Sequence, residues 1–164
     1  MQGKSRQQIA RDNGSGVVAA LAAAESAAAG VGILITGAEE FGLVGARIYA
    51  RLTPGIADAE FVNVDTVDQE GTLYLVSHDR RGQRLACRMA PALTGLGSPL
   101  KHRRLPLGIL VDSAPLSRAG APCITIGRLT WRTLRLIHTP ADTTDSWSAE
   151  TAVRVGKAIG SLPT

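Results

Sequence analysis

The order of elements legible in the sequence predicts an α/β protein built on a mostly parallel sheet. Two observations carry this. Apolar runs of strand length at 31–36, 60–66, 71–77 and 122–127 alternate with helix-length stretches at 17–29, 43–52, 80–93 and 149–162. The first of these runs, Gly32-Ile33-Leu34-Ile35-Thr36, also stops at Gly37 and presents Glu39 and Glu40 before a helix begins. Open α/β sheets keep their chemistry at such carboxyl ends of strands.

Taken in order, residues 1–11 are polar and read as a tail. Asp12-Asn13-Gly14-Ser15-Gly16 is dense in turn residues, and Asp12 or Ser15 is placed to cap the Ala-rich helix over 17–29. That helix is small and apolar, so it is expected to lie against the sheet. The run 31–36 is expected to be the central strand. Thr53-Pro54-Gly55 closes the next helix. The strand at 60–66 carries Asp65 near its end, and 71–77 follows as a further strand, antiparallel if reached by the short turn before it. An amphipathic helix at 80–93 leads to 94–106, where Gly, Pro and basic residues predict a mobile loop. Residues 112–120 read as a loop and short helix, 128–139 as irregular chain carrying His138, and 143–148 as caps for the closing helix.

With 164 residues, 45% hydrophobic and 20% charged, the chain is long enough for one ordinary domain with a real core. Aromatics make up only 4%, so Ala, Val, Leu and Ile must build that core. A net charge of +4 permits an anionic partner without requiring one. Arginines cluster at Arg80, Arg81, Arg84 and Arg88 and again in Lys101-His102-Arg103-Arg104. Almost no aromatic side chain lies between them, so bases have no stacking platform and nucleic acid is not expected as a partner. No apolar run is long enough to span a bilayer, since Glu25 interrupts the most apolar stretch, and the first residues lack the apolar block of a signal peptide. Cys87 and Cys123 stand alone, without the spacing of a thiolate zinc site. Whether they pair is left open.

Two adjacent carboxylates at a strand end are costly unless a cation, a proton or a partner compensates them. Asp12, Glu39, Glu40, Asp65 and His138 all fall where elements begin or end, so one sheet edge can gather them. Carboxylates with an imidazole suit zinc or a similar divalent ion. Each has a plainer reading by itself: Asp12 as a helix cap, Glu39 and Glu40 as acids in a helix's first turn, Asp65 as a turn residue, His138 as a surface histidine. Ser77-His78-Asp79 imitates a triad only in writing, because neighbouring strand side chains point to opposite faces. His78 and His102 are expected at the surface.

Five blocks, 12–16, 36–45, 63–65, 112–122 and 137–145, occur in the order of the motif set of the co-catalytic zinc aminopeptidases, which the chain resembles from Asp12 to its end. That group includes bacterial leucyl aminopeptidase and Streptomyces aminopeptidase, with glutaminyl cyclases and transferrin receptor as relatives. The resemblance implies a three-layer αβα fold with a mixed, mostly parallel sheet, and a zinc cofactor of up to two ions. It implies a peptide substrate with a free N-terminus. By position, Asp12 matches the carboxylate bridging two zincs, followed by a cis peptide. Glu39 matches the general base. Glu40 matches a terminal ligand of one zinc, and Asp65 and His138 those of the other. Asp142 and Asp145 match supporting carboxylates, and Asp112 an acidic position near the site.

The same resemblance points to an upstream His-x-Asp motif and opening strands that have no counterpart here, the first histidine being His78. It therefore implies a partial catalytic domain over 12–164, with the Asp12–Asp65–His138 site complete and the Asp12–Glu40 site short of one ligand. The activity expected is that of a metallo-aminopeptidase. The alternatives are a non-catalytic domain of the same fold and a glutaminyl-cyclase-like enzyme with one zinc. Full-length members of the group are often exported, and a sheet edge left open is expected to favour self-association.

Overall fold

The computed structural model describes residues 11–68, 71–105, 110–128, 135, 139 and 148–162. After a π-helical turn at Arg11–Ser15 come α1 (Gly16–Ser26), α2 (Val44–Leu52), β1 (Phe61–Asp65), β2 (Leu73–Ser77) and α3 (Arg80–Thr94). Then follow β3 (Leu100–Arg104), α4 (Ser113–Arg118), β4 (Cys123–Gly127) and α5 (Ala149–Gly160). The strands form one sheet in the order β1-β4-β2-β3, with β1–β4 and β2–β3 parallel and β2–β4 antiparallel. The mixed, mostly parallel α/β architecture is thus the one expected.

Side-chain alternation along the strands sorts the helices into two layers. Val64, Leu73, Leu75, Ile124 and Ile126 point to one face and pack with Ala19 of α1, Leu85 and Met89 of α3, and Ala152 and Val155 of α5. Phe61 and Cys123 point to the other face, against Tyr49 of α2 and Leu116 of α4. β4 is buried along its whole length, as a continuous apolar strand covered on both faces must be.

The Ala-rich α1 lies against α5 through small residues. A Cβ on Gly156 would sit 2.2 Å from the Ala19 carbonyl, and one on Gly160 2.3 Å from that of Ala23. Only glycine lets the two backbones approach this closely. Ser148 accepts a hydrogen bond from Thr151 N at 3.2 Å and starts α5, as the capping residues before it predict. Asp79 does the same for α3 through Gly82 N at 2.8 Å.

Two expectations fail. The run at 31–36 is not the central strand: it is irregular and solvent-exposed, with Val31 47%, Ile33 42% and Ile35 64% accessible. A buried strand needs ladder partners, and among the described residues none pairs with it. The apolar pattern states correctly that these residues want burial, but pattern alone cannot supply the neighbouring strand. The loop expected at 94–106 contains β3, whose pairing with β2 runs from Leu73↔Leu100 to Ser77↔Arg104. Basic residues masked it, since an edge strand tolerates charge on both faces.

Cys87 and Cys123 are both free, the first exposed and the second buried. Burial pushes the Cys123 thiol up to about 12, with the nearby Asp79 charge adding to the effect. A thiol reagent is therefore expected to modify one cysteine per native chain and both after denaturation. Rapid modification of both in the native protein would contradict the packing around Cys123.

Candidate metal centre

Asp65 ends β1 at its carboxyl edge, level with Gly127 of β4. The chain then turns abruptly: Thr66 is buried at φ 51°, a left-handed conformation unusual for a β-branched residue. Its hydroxyl donates to Asp65 Oδ1 at 3.0 Å, and its carbonyl accepts from Arg128 N at 2.9 Å. The turn is strained and held from both sides, the kind of arrangement that clusters at functional sites.

The π-helical turn bearing Asp12 is stitched to this same strand end. Asn13 Nδ2 donates to the Val64 carbonyl at 2.8 Å, while Asn13 Oδ1 accepts from Gly16 N at 2.9 Å. Ser15 Oγ, fully buried, accepts from Val67 N at 3.0 Å. The two anchors flank Asp65, so residues 51 and 52 positions apart in the chain have neighbouring backbones. Gly16 permits it, because a Cβ there would fall 2.1 Å from both Asn13 Oδ1 and the Val64 carbonyl. Ser15 is the N-cap of α1 but makes no side-chain cap bond, so the capping expected of Ser15 falls instead to Asn13. Asn13 is the residue that sequence reasoning passed over. The Asn-Gly pair announced a turn, but not that the amide would reach across to β1.

Glu39 and Glu40 lie in a tight turn ahead of α2. The Glu39 carbonyl accepts from Gly42 N at 3.0 Å and Leu43 N at 2.8 Å, and Gly37 O accepts from Gly45 N at 3.0 Å. Ala38 and Leu43 both take left-handed backbone, at φ 58° and 62°, and Leu43 is buried. Since α2 begins only at Val44, the two acids are not residues of a helix's first turn. Glu39 is half-buried and Glu40 exposed. Thr36 leads into the turn and donates its hydroxyl to Asp112 Oδ2, tying it to the start of α4. Asp112 Oδ1 is buried with no hydrogen-bond partner among the described residues.

Behind Asp112 runs a polar chain across the sheet face. His78 Nε2 is hydrogen-bonded to Ser113 Oγ at 2.8 Å, Ser113 Oγ to Thr125 Oγ1 at 2.6 Å, and Asn63 Nδ2 donates to Thr125 Oγ1 at 3.3 Å. His78 is thus half-buried rather than a surface residue, whereas His102 is exposed and bonded to Ser77 at 2.9 Å. Ser77, His78 and Asp79 form no triad, as alternation requires.

Burial holds His78 below its ordinary 6.5, with Asp79 opposing and Arg118 adding to the shift. The unfolded chain therefore binds the extra proton more readily, and His78 favours folding above about 6.5 and opposes it as pH falls below. Thermal midpoints of wild type and His78→Gln between pH 7.5 and 5.5 measure this. The wild type is expected to fall more steeply; equal slopes would contradict it.

His138, Asp142 and Asp145 lie outside the described residues, as does the side chain of Asp12. Among the described residues, no three His, Cys, Asp or Glu side chains gather into a metal-binding group. Of the expected Asp12–Asp65–His138 set, the described side chain is that of Asp65, a donor of a type zinc takes. Asp65 and the Asp12 turn converge on one strand end, and hard carboxylate oxygens are what zinc takes alongside imidazole.

A family model described as peptidase family M28 matches residues 4–162. The chain belongs to peptidase family M28. No curated protein sequence matches it. Among solved structures, this M28 chain superposes on the LapA aminopeptidase of Legionella pneumophila with a TM-score of 0.73 at 19% identity, over 94% of its own length and 47% of the other. On BSAP, a zinc aminopeptidase from Bacillus subtilis, the values are 0.71, 22%, 96% and 42%. On a glutaminyl cyclase from Porphyromonas gingivalis they are 0.64, 19%, 92% and 61%. The chain thus spans about half the length of these aminopeptidases, and the likeness establishes a shared fold. No helix among the described residues is long and apolar enough to cross a membrane.

Proposed function

We propose that this M28 chain carries the metal-binding and base-bearing part of a zinc aminopeptidase, which hydrolyses the N-terminal peptide bond of a peptide. What supports this most is the stitching of the Asp12 turn to both sides of Asp65 through Asn13 and Ser15. A cap or a loop would not need two side chains spent on holding one acidic turn against another acidic residue.

In this reading Asp12, Asp65 and His138 would hold one zinc, and Asp12 and Glu40 would contribute to a second. Bound zinc supplies Lewis-acid polarisation of the scissile carbonyl. Glu39 takes a proton from the attacking water and later delivers it to the leaving amine. The strained turn fixes the backbone that carries Glu39, which limits the reorganisation left to the reaction. Asp112 acts through Thr36, holding the lead-in to the turn. Asp142 and Asp145 support His138 from outside. Turnover of an aminoacyl-anilide by the zinc-loaded chain tests the reading; absence of turnover with zinc bound would confine it to metal binding.

One observation favours a second reading, a non-catalytic domain of the same fold. The exposed apolar segment from Val31 to Ile35 leads directly to Glu39 and has no strand beside it among the described residues. Self-association belongs to the same proposal, since β1 is a terminal strand of the described sheet and lacks the basic residues of β3. A monodisperse monomer by light scattering would count against it.

A further inference from the structure

The two basic clusters, separate in the sequence, meet in the fold. Arg80 and Gln83 from the first turns of α3 and His102, Arg103 and Arg104 from β3 line one groove of about 620 Å³. Its acidic member is Asp79, whose carboxylate is engaged in capping α3 through Gly82 N. Register puts His102 opposite Leu75 and Arg104 opposite Ser77, on the sheet face that α3 covers. The groove thus runs between a helix rich in arginine and the outer edge of the sheet.

That edge has a backbone pattern as well as a charge. The Pro99 carbonyl and Leu105 N both bond inward to β2, at 2.8 and 3.0 Å. Parallel pairing alternates strictly, so Leu100, His102 and Arg104 direct their N–H and C=O groups outward. No described strand lies beyond β3. Lysine and arginine on an edge strand also deter aggregation. Edge protection does not, however, account for Arg80 and Gln83 converging on the same groove from a helix.

We propose that this groove binds an extended acidic polypeptide segment, which adds to the sheet beside β3 and places its carboxylates against Arg80 and Arg104. Main-chain hydrogen bonds to the outward-facing residues give the register, and the cations give the preference for acid. The observations favour a peptide over a nucleic acid, because no Phe, Tyr or Trp lines the groove to stack a base and the edge of β3 offers main-chain groups to an extended chain. The groove lies at the other end of the sheet from Asp65: β2 is antiparallel to β4, so Ser77 stands level with Ile124 while Asp65 stands level with Gly127. Its occupation is therefore separate from any hydrolysis.

The test is fluorescence anisotropy with a short labelled peptide alternating Glu with Val and Thr, titrated with the full chain. Binding is expected, weakening as salt rises. It should fall about tenfold or more in the Arg80→Ala/Arg104→Ala double variant, checked for an unchanged thermal midpoint. A peptide of the same charge, N-methylated at alternate residues, is expected to lose binding to the wild-type chain, a comparison that needs no variant to fold. Equal binding of the methylated peptide would overturn the proposal, since charge alone would then suffice. Tighter binding of a single-stranded oligonucleotide of equal charge would overturn it too, as would no binding of the acidic peptide at low salt.

Discussion

Glu39→Gln is expected to lower the turnover of an aminoacyl-anilide by about 10²–10⁴-fold while bound zinc per chain stays unchanged. The amide keeps the size and shape of the carboxylate, and backbone contacts hold the turn. Gly42 N, Leu43 N and the left-handed Ala38 and Leu43 all act on the main chain. The substitution therefore removes a proton acceptor and leaves these backbone contacts in place. Undiminished turnover in this variant would remove Glu39 from the role of base, and loss of zinc would make it a ligand instead.

Gly16→Ala is expected to destabilise the fold by about 2–3 kcal/mol, although alanine is the better helix former. At this chain length that corresponds to a thermal midpoint lower by roughly 4–12 °C. Two effects of opposite sign compete. Propensity favours alanine by about 1 kcal/mol in a helix interior and by less at its first residue. Against it, the new methyl would meet the Val64 carbonyl and Asn13 Oδ1, both at 2.1 Å. One of these is the backbone of strand β1, and the other is the clamp on the Asp12 turn, so neither yields cheaply. Zinc affinity should drop with stability, because relief of the clash moves the Asp12 turn away from Asp65. A raised midpoint would show that propensity wins and that the clamp is loose.

The parts of this protein that a sequence states in local terms were readable. Asp65 at a strand end follows from an apolar run closing on an acid. The helices at Val44–Leu52 and Arg80–Thr94 follow from their periodicity and flanking turn residues. What stayed hidden depends on partners far away in the chain. The segment before Glu39 reads as a buried strand because Ile33, Leu34 and Ile35 are apolar, yet burial needs a neighbouring strand that no local pattern can report. β3 escaped notice for the converse reason, since Lys101 to Arg104 look like loop until β2 is laid beside them. Asn13 and Ser113 are ordinary polar residues in sequence. Their importance lies in reaching Val64, and His78 with Thr125, across separations of 12 to 51 residues.

The convergence of the Asp12 turn on Asp65 is the feature on which the functional reading turns, and metal content addresses it directly. Elemental analysis of the chain after zinc loading and exhaustive dialysis is expected to find at least one zinc per chain. In Asp65→Asn that zinc should be lost while the thermal midpoint measured in chelator stays close to that of wild type. No retained zinc in the wild type, or the same content in both proteins, would contradict a metal centre at this strand end.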